Sequence, residues 1–452
     1  MIETTKRLSR RALLTGGVCL AAGMAVAAPQ TTLRPVTRPT VTAAVPEVPA
    51  GVRPVARKSA VDLIRAAGLE GQVGFVIADQ DTGEVLEQVD GAQGRPPASV
   101  TKTLTALYAL EILGPDYRFA TRLLATGPVT DGVLKGDLIL AGGGDPNLVT
   151  DELATLAQRL SDAGVTRIEG DFLVWGNALP GVKEIEPGQL DQLGYNPSLG
   201  GLNLNFNRVY FEWARSGAEY SVTLDARSET RRPAVKSARM AVVDRAGPVY
   251  TYTEGQGVDN WTVAKGALGK AGSRWLPVRF PALYAGEVFQ TLARDAGVTV
   301  PAMKLIDTLP TATELARFES QPLVDMMRDM LLYSTNITAE AAGMTATAKR
   351  VGTAQDMQTS AMKMAEWYVA RAGIHVQLED HSGLTDANHV SARDEVTFLN
   401  APGVATQLRP LMKSITMLDD QRKAIRDFPG QVRAKTGTLN FVSALAGYLE
   451  TD

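Results

Sequence analysis

The chain has 452 residues, with 46 Lys+Arg against 49 Asp+Glu, three His and one Cys. That length predicts about three structural units, and a 45% hydrophobic content excludes a disordered or collagen-like body. A net charge of −3 excludes a generally basic nucleic-acid binder, and the lone Cys excludes a disulfide scaffold or a thiolate zinc site. The three His, confined to 375–389, make no His-rich metal centre.

Residues 1–27 read as an export signal. Lys6, Arg7, Arg10 and Arg11 precede an apolar run, Ala12–Ala27, which ends in a small-x-small cleavage site, Ala25-Val26-Ala27. Ser9-Arg10-Arg11-Ala12-Leu13-Leu14 resembles a twin-arginine signal; a general secretory signal with an incidental Arg pair is the alternative. The run is short for a stable membrane span, and Val18 before Cys19 argues against lipidation. Cleavage leaves 42 basic against 48 acidic residues and no Cys, so the expected periplasmic chain depends on its core alone. Residues 28–58 follow as a linker with six Pro, extended and poorly packed. Its five basic residues allow either a solvated spacer or weak adhesion to anionic envelope polymers.

From residue 59 the pattern is α+β. Gln72–Ala78 and Glu84–Val89 predict a hairpin, and Ser99–Leu113 a helix with Leu104, Leu107, Tyr108 and Ile112 on one face, stopped by Gly114-Pro115. Short β-prone runs then recur at Val133–Leu140, Arg167–Trp175, Leu202–Trp213, Tyr220–Asp225, Met240–Val243 and Val249–Tyr252, interrupted by one helix at Thr150–Ala163. Helices return at Ala282–Ala296, Leu323–Leu332 and Thr338–Lys349, and Gln431–Leu439 with Phe441–Leu449 read as paired strands. The expected organisation is a split domain, 59–117 with 286–452, around a mostly β insert of one or two modules at 118–285.

Three short motifs carry chemistry. In Ser99-Val100-Thr101-Lys102 at a helix start, the i, i+3 spacing makes Ser99 and Lys102 neighbours, so a Lys of depressed pKa can act as base for a serine nucleophile. Ser334-Thr335-Asn336 lies in a loop between two helices and offers a hydroxyl and an amide; a plain N-cap is its bland alternative. Lys435-Thr436-Gly437, followed by Thr438, sits on a strand, where Lys can hold a carboxylate and Gly admits a close backbone. Each alone is weak. Their order, spacing and element types together match the serine-acylating set of β-lactamases and penicillin-binding proteins.

The chain thus resembles the low-molecular-mass class C penicillin-binding proteins, the D-alanyl-D-alanine carboxypeptidase/endopeptidases. The 235-residue gap between Ser99 and Ser334 holds the long insert that separates this family from β-lactamases. Gly136-Asp137-Leu138 through Gly144-Asp145-Pro146, Leu202-Asn203-Leu204-Asn205-Phe206-Asn207 and Asp380-His381-Ser382-Gly383-Leu384 also look like the family. Gly142-Gly143-Gly144 reads as a turn, since no Gly-Lys-Ser/Thr follows. Asp380 and Ser382 are expected to order a loop near the site, and the three His to occupy surface or loop positions.

The resemblance implies a transpeptidase-like fold and a site without metal or cofactor. Ser99 would attack the penultimate D-Ala carbonyl of a peptidoglycan stem peptide. Lys102, its pKa lowered by burial beside Lys435, would take the Ser99 proton. The amides of Ser99 and Thr438 would form the oxyanion hole, and Ser334 would return a proton to the leaving amine. Asn336 would orient substrate and Lys102, while Lys435 with Thr436 would bind the terminal carboxylate. β-Lactams would acylate Ser99; no nucleic-acid partner is expected. In the family's fold the Lys-Thr-Gly strand is followed by two further strands and a helix, so the resemblance implies that the C-terminal strand and helix are missing here. The alternatives are a serine β-lactamase and a truncated, non-catalytic cell-wall-binding protein. For the insert, wall binding, substrate positioning and structural support stand equally.

Overall fold

A computed structural model describes residues 59–451 except 70, 420 and 427. The expected signal and linker lie outside the described residues.

The helix predicted at Ser99–Leu113 opens as a single 3-10 turn, Ala98–Val100, and continues as an α-helix, Thr101–Leu113. Gly114, at φ 96°, ends it just before Pro115. The expected single apolar face is corrected: every residue from Thr101 to Leu110 is buried. A helix apolar nearly all round needs partners on all sides, and Leu323–Tyr333, Asn336–Val351, Met357–Ala372 and Ala392–Leu399 share its core. Its polar tenants are satisfied. Tyr368 donates to the Leu104 carbonyl at 2.6 Å, and the hydroxyls of Tyr108 and Thr347 lie 3.1 Å apart.

Gln431–Leu439 and Val442–Glu450 form an antiparallel pair with Lys435 opposite Ala446 and Gly437 opposite Ala444. Lys413–Ile415 pairs with the other edge of Gln431–Leu439, but that ladder stops at Ala434. The Lys435–Thr438 stretch of this edge therefore faces the Ala98–Val100 turn; a Cβ on Gly437 would lie 2.6 Å from the Pro97 carbonyl oxygen. The predicted hairpin forms from Phe75–Ala78 and Val85–Val89 as a sheet of its own.

The insert is larger than expected. Its main sheet runs in the order Met303–Ile306, Phe172–Trp175, Leu138–Ala141, Ala120–Ala125, Thr313–Glu319. Two of those strands lie beyond residue 285, where the boundary was predicted. Met303–Ile306 pairs parallel with Phe172–Trp175, and Thr313–Glu319 pairs antiparallel with Ala120–Ala125. The Pro281–Asp295 helix also places Val288, Phe289 and Leu292 in the insert core beside Leu153 and Phe172. The insert thus extends to about Glu319, a limit set by long-range pairing that no local pattern displays. Three further three-stranded sheets belong to it among the described residues: one around Arg208–Ser216, one around Asp259–Ala264, and one of Val129–Thr130, Val133–Leu134 and Arg167–Ile168.

Three predicted strands are broken. Val133–Leu140 divides at Lys135-Gly136-Asp137, and Arg167–Trp175 divides around Gly170. Leu202–Trp213 becomes a strand only at Arg208, because Asn205, Phe206 and Asn207 adopt φ of 52°, 58° and 51°. Asn tolerates this left-handed region, since its short amide bonds locally. Asn207 accepts from the Leu204 amide at 3.0 Å and donates to the Ser198 carbonyl at 2.9 Å. Phe206 has no such excuse. It is held there by packing with Leu179, Leu199, Ile337, Ala341 and Met344, at the start of the Asn336–Val351 helix.

Candidate active site

The site forms where the start of the buried helix, the Ser334–Asn336 junction and the Lys435–Thr438 strand converge. Ala98 takes a left-handed φ of 49°, which turns the chain sharply into the helix and leaves Ser99 half-buried at its head. One turn on, Lys102 is fully buried. Its Nζ donates to Ser99 Oγ at 3.0 Å, Asn336 Oδ1 at 2.7 Å and the Ser382 carbonyl at 2.6 Å. Three acceptors saturate the ammonium's three donors and leave it one orientation.

Ser334 ends the Leu323–Tyr333 helix in a left-handed conformation, φ 61°. The next helix starts at Asn336, and Thr335 occupies the N-cap position without a side-chain cap. The bland N-cap reading therefore fails, and the Ser334 hydroxyl accepts from Lys435 Nζ at 3.0 Å. Lys435 is buried on the strand's inner face and also donates to the Thr436 carbonyl at 2.5 Å. Thr436 and Thr438 alternate to the exposed side. Gly437 links the two halves. A Cβ there would lie 2.6 Å from the Pro97 carbonyl, 3.0 Å from Ala98 Cβ and 3.1 Å from the Ser99 amide, so only glycine lets the strand pass the nucleophile. Ser99, Lys102 and Asn336 thus form one bonded group, Ser334 and Lys435 a second, and Gly437 holds them together.

Burial pushes Lys102 down from 10.5 to about 8, against the opposing pull of Asp380 and Glu340. Lys435 falls further, to about 6, through burial first and then repulsion from Lys102 and Lys413. The predicted depression of Lys102 is present, with burial as its leading cause.

The loop expected around Asp380 and Ser382, with residues the sequence did not single out, supports Lys102. Asp380 accepts the amides of Gly383, Leu384 and Thr385 at 2.6, 2.8 and 2.9 Å, winding the loop that presents the Ser382 carbonyl. Glu340 accepts the His381 amide at 3.0 Å. His381 lies in a loop, one of the two expected kinds of position, but is fully buried there, with Nε2 2.8 Å from Ser360 Oγ. Its ring sits against Gly343, where a Cβ would approach Nδ1 to 2.3 Å. Glu340 follows Asn336 by one helical turn, a register the sequence offered but no motif flagged. From the insert, the Tyr195 carbonyl accepts from Asn336 Nδ2 at 2.8 Å, and Asn147 accepts from Thr338 at 3.0 Å. The insert therefore braces the residue that orients Lys102. Among the described residues, no group of three or more His, Cys, Asp or Glu is placed to hold a metal ion, and no helix is long and apolar enough to cross a membrane.

A buried lysine bonded to a half-exposed serine, beside a second lysine–serine pair where the strand meets the helix junction, is an arrangement that can carry acyl transfer on a serine with Lys as base. The chain belongs to the D-Ala-D-Ala carboxypeptidase 3 (S13) family, whose model matches residues 59–452. The D-alanyl-D-alanine carboxypeptidase of Actinomadura sp. strain R39 is 29% identical over 425 residues, covering 86% of this chain and 77% of that protein. The fold is similar to penicillin binding protein 4 of Haemophilus influenzae, with a TM-score of 0.69 at 21% identity over 83% of this chain and 86% of that one. The same Haemophilus protein complexed with a β-lactam gives a TM-score of 0.67 at 20% identity, covering 84% and 87%.

Proposed function

We propose that this protein is a penicillin-sensitive serine D-alanyl-D-alanine carboxypeptidase of peptidoglycan stem peptides, reacting through an acyl-enzyme on Ser99. The observation that carries this reading is the 3.0 Å bond between Lys102 Nζ and Ser99 Oγ, with the Lys102 pKa drawn down to about 8 by burial. Ser99 Oγ attacks the penultimate D-Ala carbonyl while Lys102 takes its proton. The amides of Ser99 and Thr438 receive the oxyanion. The C–N bond then breaks, and Ser334 passes a proton to the departing amine. Lys435, with Thr436, meets the terminal carboxylate, whose charge offsets the burial that depresses Lys435. Water attacks the Ser99 ester, releases the shortened peptide and restores the hydroxyl. Where the leaving amine belongs to a cross-linking diamino acid, the same steps make an endopeptidase.

A β-lactam presents a strained amide and a carboxylate to the same groups, and its adduct persists because the leaving amine stays tethered. The H. influenzae relative captured with a β-lactam supports this part of the reading. Export through the twin-arginine-like signal would place the enzyme in the periplasm, where its substrate lies. Intact-mass analysis of the chain lacking 1–27, with and without penicillin, tests the assignment. One penicilloyl adduct that disappears in Ser99→Ala is expected, and labelling that persists in that variant sinks it. Slow breakdown of the adduct distinguishes this enzyme from a β-lactamase, and lack of any adduct marks a non-catalytic wall-binding protein.

A further inference from the structure

Lys102 lies in an acidic pocket that the acylation steps do not use. Glu340 is fully buried on the Asn336–Val351 helix, one turn behind Asn336 and therefore on the same face. Asn336 grips Lys102 Nζ directly, while Glu340 grips the backbone of the loop that delivers the third Lys102 acceptor. Both Glu340 oxygens lie within bonding distance of the His381 amide, at 3.0 and 3.2 Å, and the next residue's carbonyl is the one on Lys102. Further along this helix, Gly343 makes room for the His381 ring and Thr347 meets Tyr108 of the Lys102 helix. One helix face therefore clamps both the base and the loop beneath it.

We propose that Glu340 is a positioning residue for the base: it fixes the loop that locks Lys102, and its charge decides how readily Lys102 gives up a proton. This rests on the reading of Lys102 as base. The groups facing this carboxyl are Lys102 from the central helix and Asp380 and His381 from the loop; Lys435 faces Lys102 from the strand. Asp380 accepts from three amides and the Asn388 side chain. His381, driven down to about 3 by burial, is neutral. Burial and the nearby Asp380 push Glu340 up, while Lys102 pulls it back down and Glu340 in turn raises Lys102. The two groups therefore titrate as a pair. A protonated Glu340 removes one of the two negative charges that favour an ammonium at Lys102, and an ionised one restores it.

Glu340→Gln keeps the shape and an acceptor for the His381 amide but removes the titrating charge. In this variant the acid limb of the second-order rate of penicillin acylation moves to lower pH by about one unit, with the plateau within about threefold of wild type. Glu340→Ala, which releases the loop as well, lowers the rate across the whole range. An unshifted limb in Glu340→Gln, whether the rate is unchanged or uniformly reduced, overturns the proposal. Infrared difference spectra of the wild-type protein across the same limb supply a check independent of any variant's folding. A protonated carboxyl band that bleaches along it is expected, and its absence overturns the proposal. Failure of the acyl-enzyme reading is distinguishable, because wild type would then show no Ser99-dependent adduct at any pH, and failure of the base reading is distinguishable because Lys102→Met would then acylate at the wild-type rate.

Discussion

At Gly437 the absence of a side chain is what lets the strand lie against Pro97–Ser99, so the cost of adding one falls on catalysis before stability. Gly437→Ala would drive a methyl to 2.6 Å from the Pro97 carbonyl and displace the strand by a few tenths of an ångström or more. Penicillin acylation followed by stopped flow is expected to slow by about tenfold to a hundredfold, as misplaced reacting groups do. Lys102 offers a different test. Lys102→Met keeps much of the volume but removes the base, and a fall of about a thousandfold in the same rate is expected. The pH profile follows from the sign of the shift. As the proposed base, Lys102 must be neutral to accept the Ser99 proton, and its pKa is lowered to about 8, so acylation is expected to be suppressed below that pH and to rise through it. A rate that is flat across this region would remove Lys102 from the base role.

The Asn336–Val351 helix sets intrinsic preference against packing. Gly343 lies in its interior, where Ala would favour an isolated helix by about 1 kcal/mol. Yet a Cβ there would meet the His381 ring at 2.3 to 2.7 Å, and that buried ring is held by Ser360 through Nε2. Overpacking of this kind costs about 1–3 kcal/mol, so Gly343→Ala is expected to lower the urea unfolding midpoint even though propensity alone would raise it. The left-handed turn Asn205–Asn207 follows the same logic. Its strain is tolerated because Asn205 accepts the Thr150 amide at 3.1 Å and Phe206 packs beneath the helix that carries Asn336. Such a turn looks like a strand to any periodicity argument, because Leu202, Leu204 and Phe206 alternate.

Across the molecule, burial of ionisable groups around the site couples stability to pH. His381 is held near 3, against 6.5 ordinarily. The unfolded chain takes up this proton near the ordinary value while the folded chain does not. Its stabilising contribution is thus complete above that value and is lost as pH falls toward 3. Each unit below the ordinary value costs up to about 1.4 kcal/mol. Between about pH 6.5 and 5, wild type is expected to lose about 2 kcal/mol more unfolding free energy than His381→Asn, measured by urea titration at each pH. Equal losses would show that His381 titrates normally when folded. At this scale the insert also takes on a definite part. Through the Tyr195 carbonyl and Asn147 it fixes the first turn of the helix that bears Asn336, so at least one of its roles is support of the site.

Ser99-x-x-Lys, Ser-x-Asn and Lys-Thr-Gly were legible in the chain alone, because their residue types stand in a recognisable order and spacing and the helix period puts Ser99 and Lys102 on one face. The elements bearing them were legible too, since Gly114-Pro115 closes the Thr101–Leu113 helix and a turn at Asn440 separates Gln431–Leu439 from its partner strand. Glu340, His381 and Tyr195 were not. Their importance depends on segments tens to hundreds of residues apart in sequence, and nothing in the local pattern of each says what it will touch. The same reason hid the insert's true limit, where Met303–Ile306 and Thr313–Glu319 join strands from before residue 176. Sequence determined which groups could react. Only the tertiary fold decided the burial that brings Lys102 toward neutrality, because desolvation belongs to the packed surroundings and not to any motif.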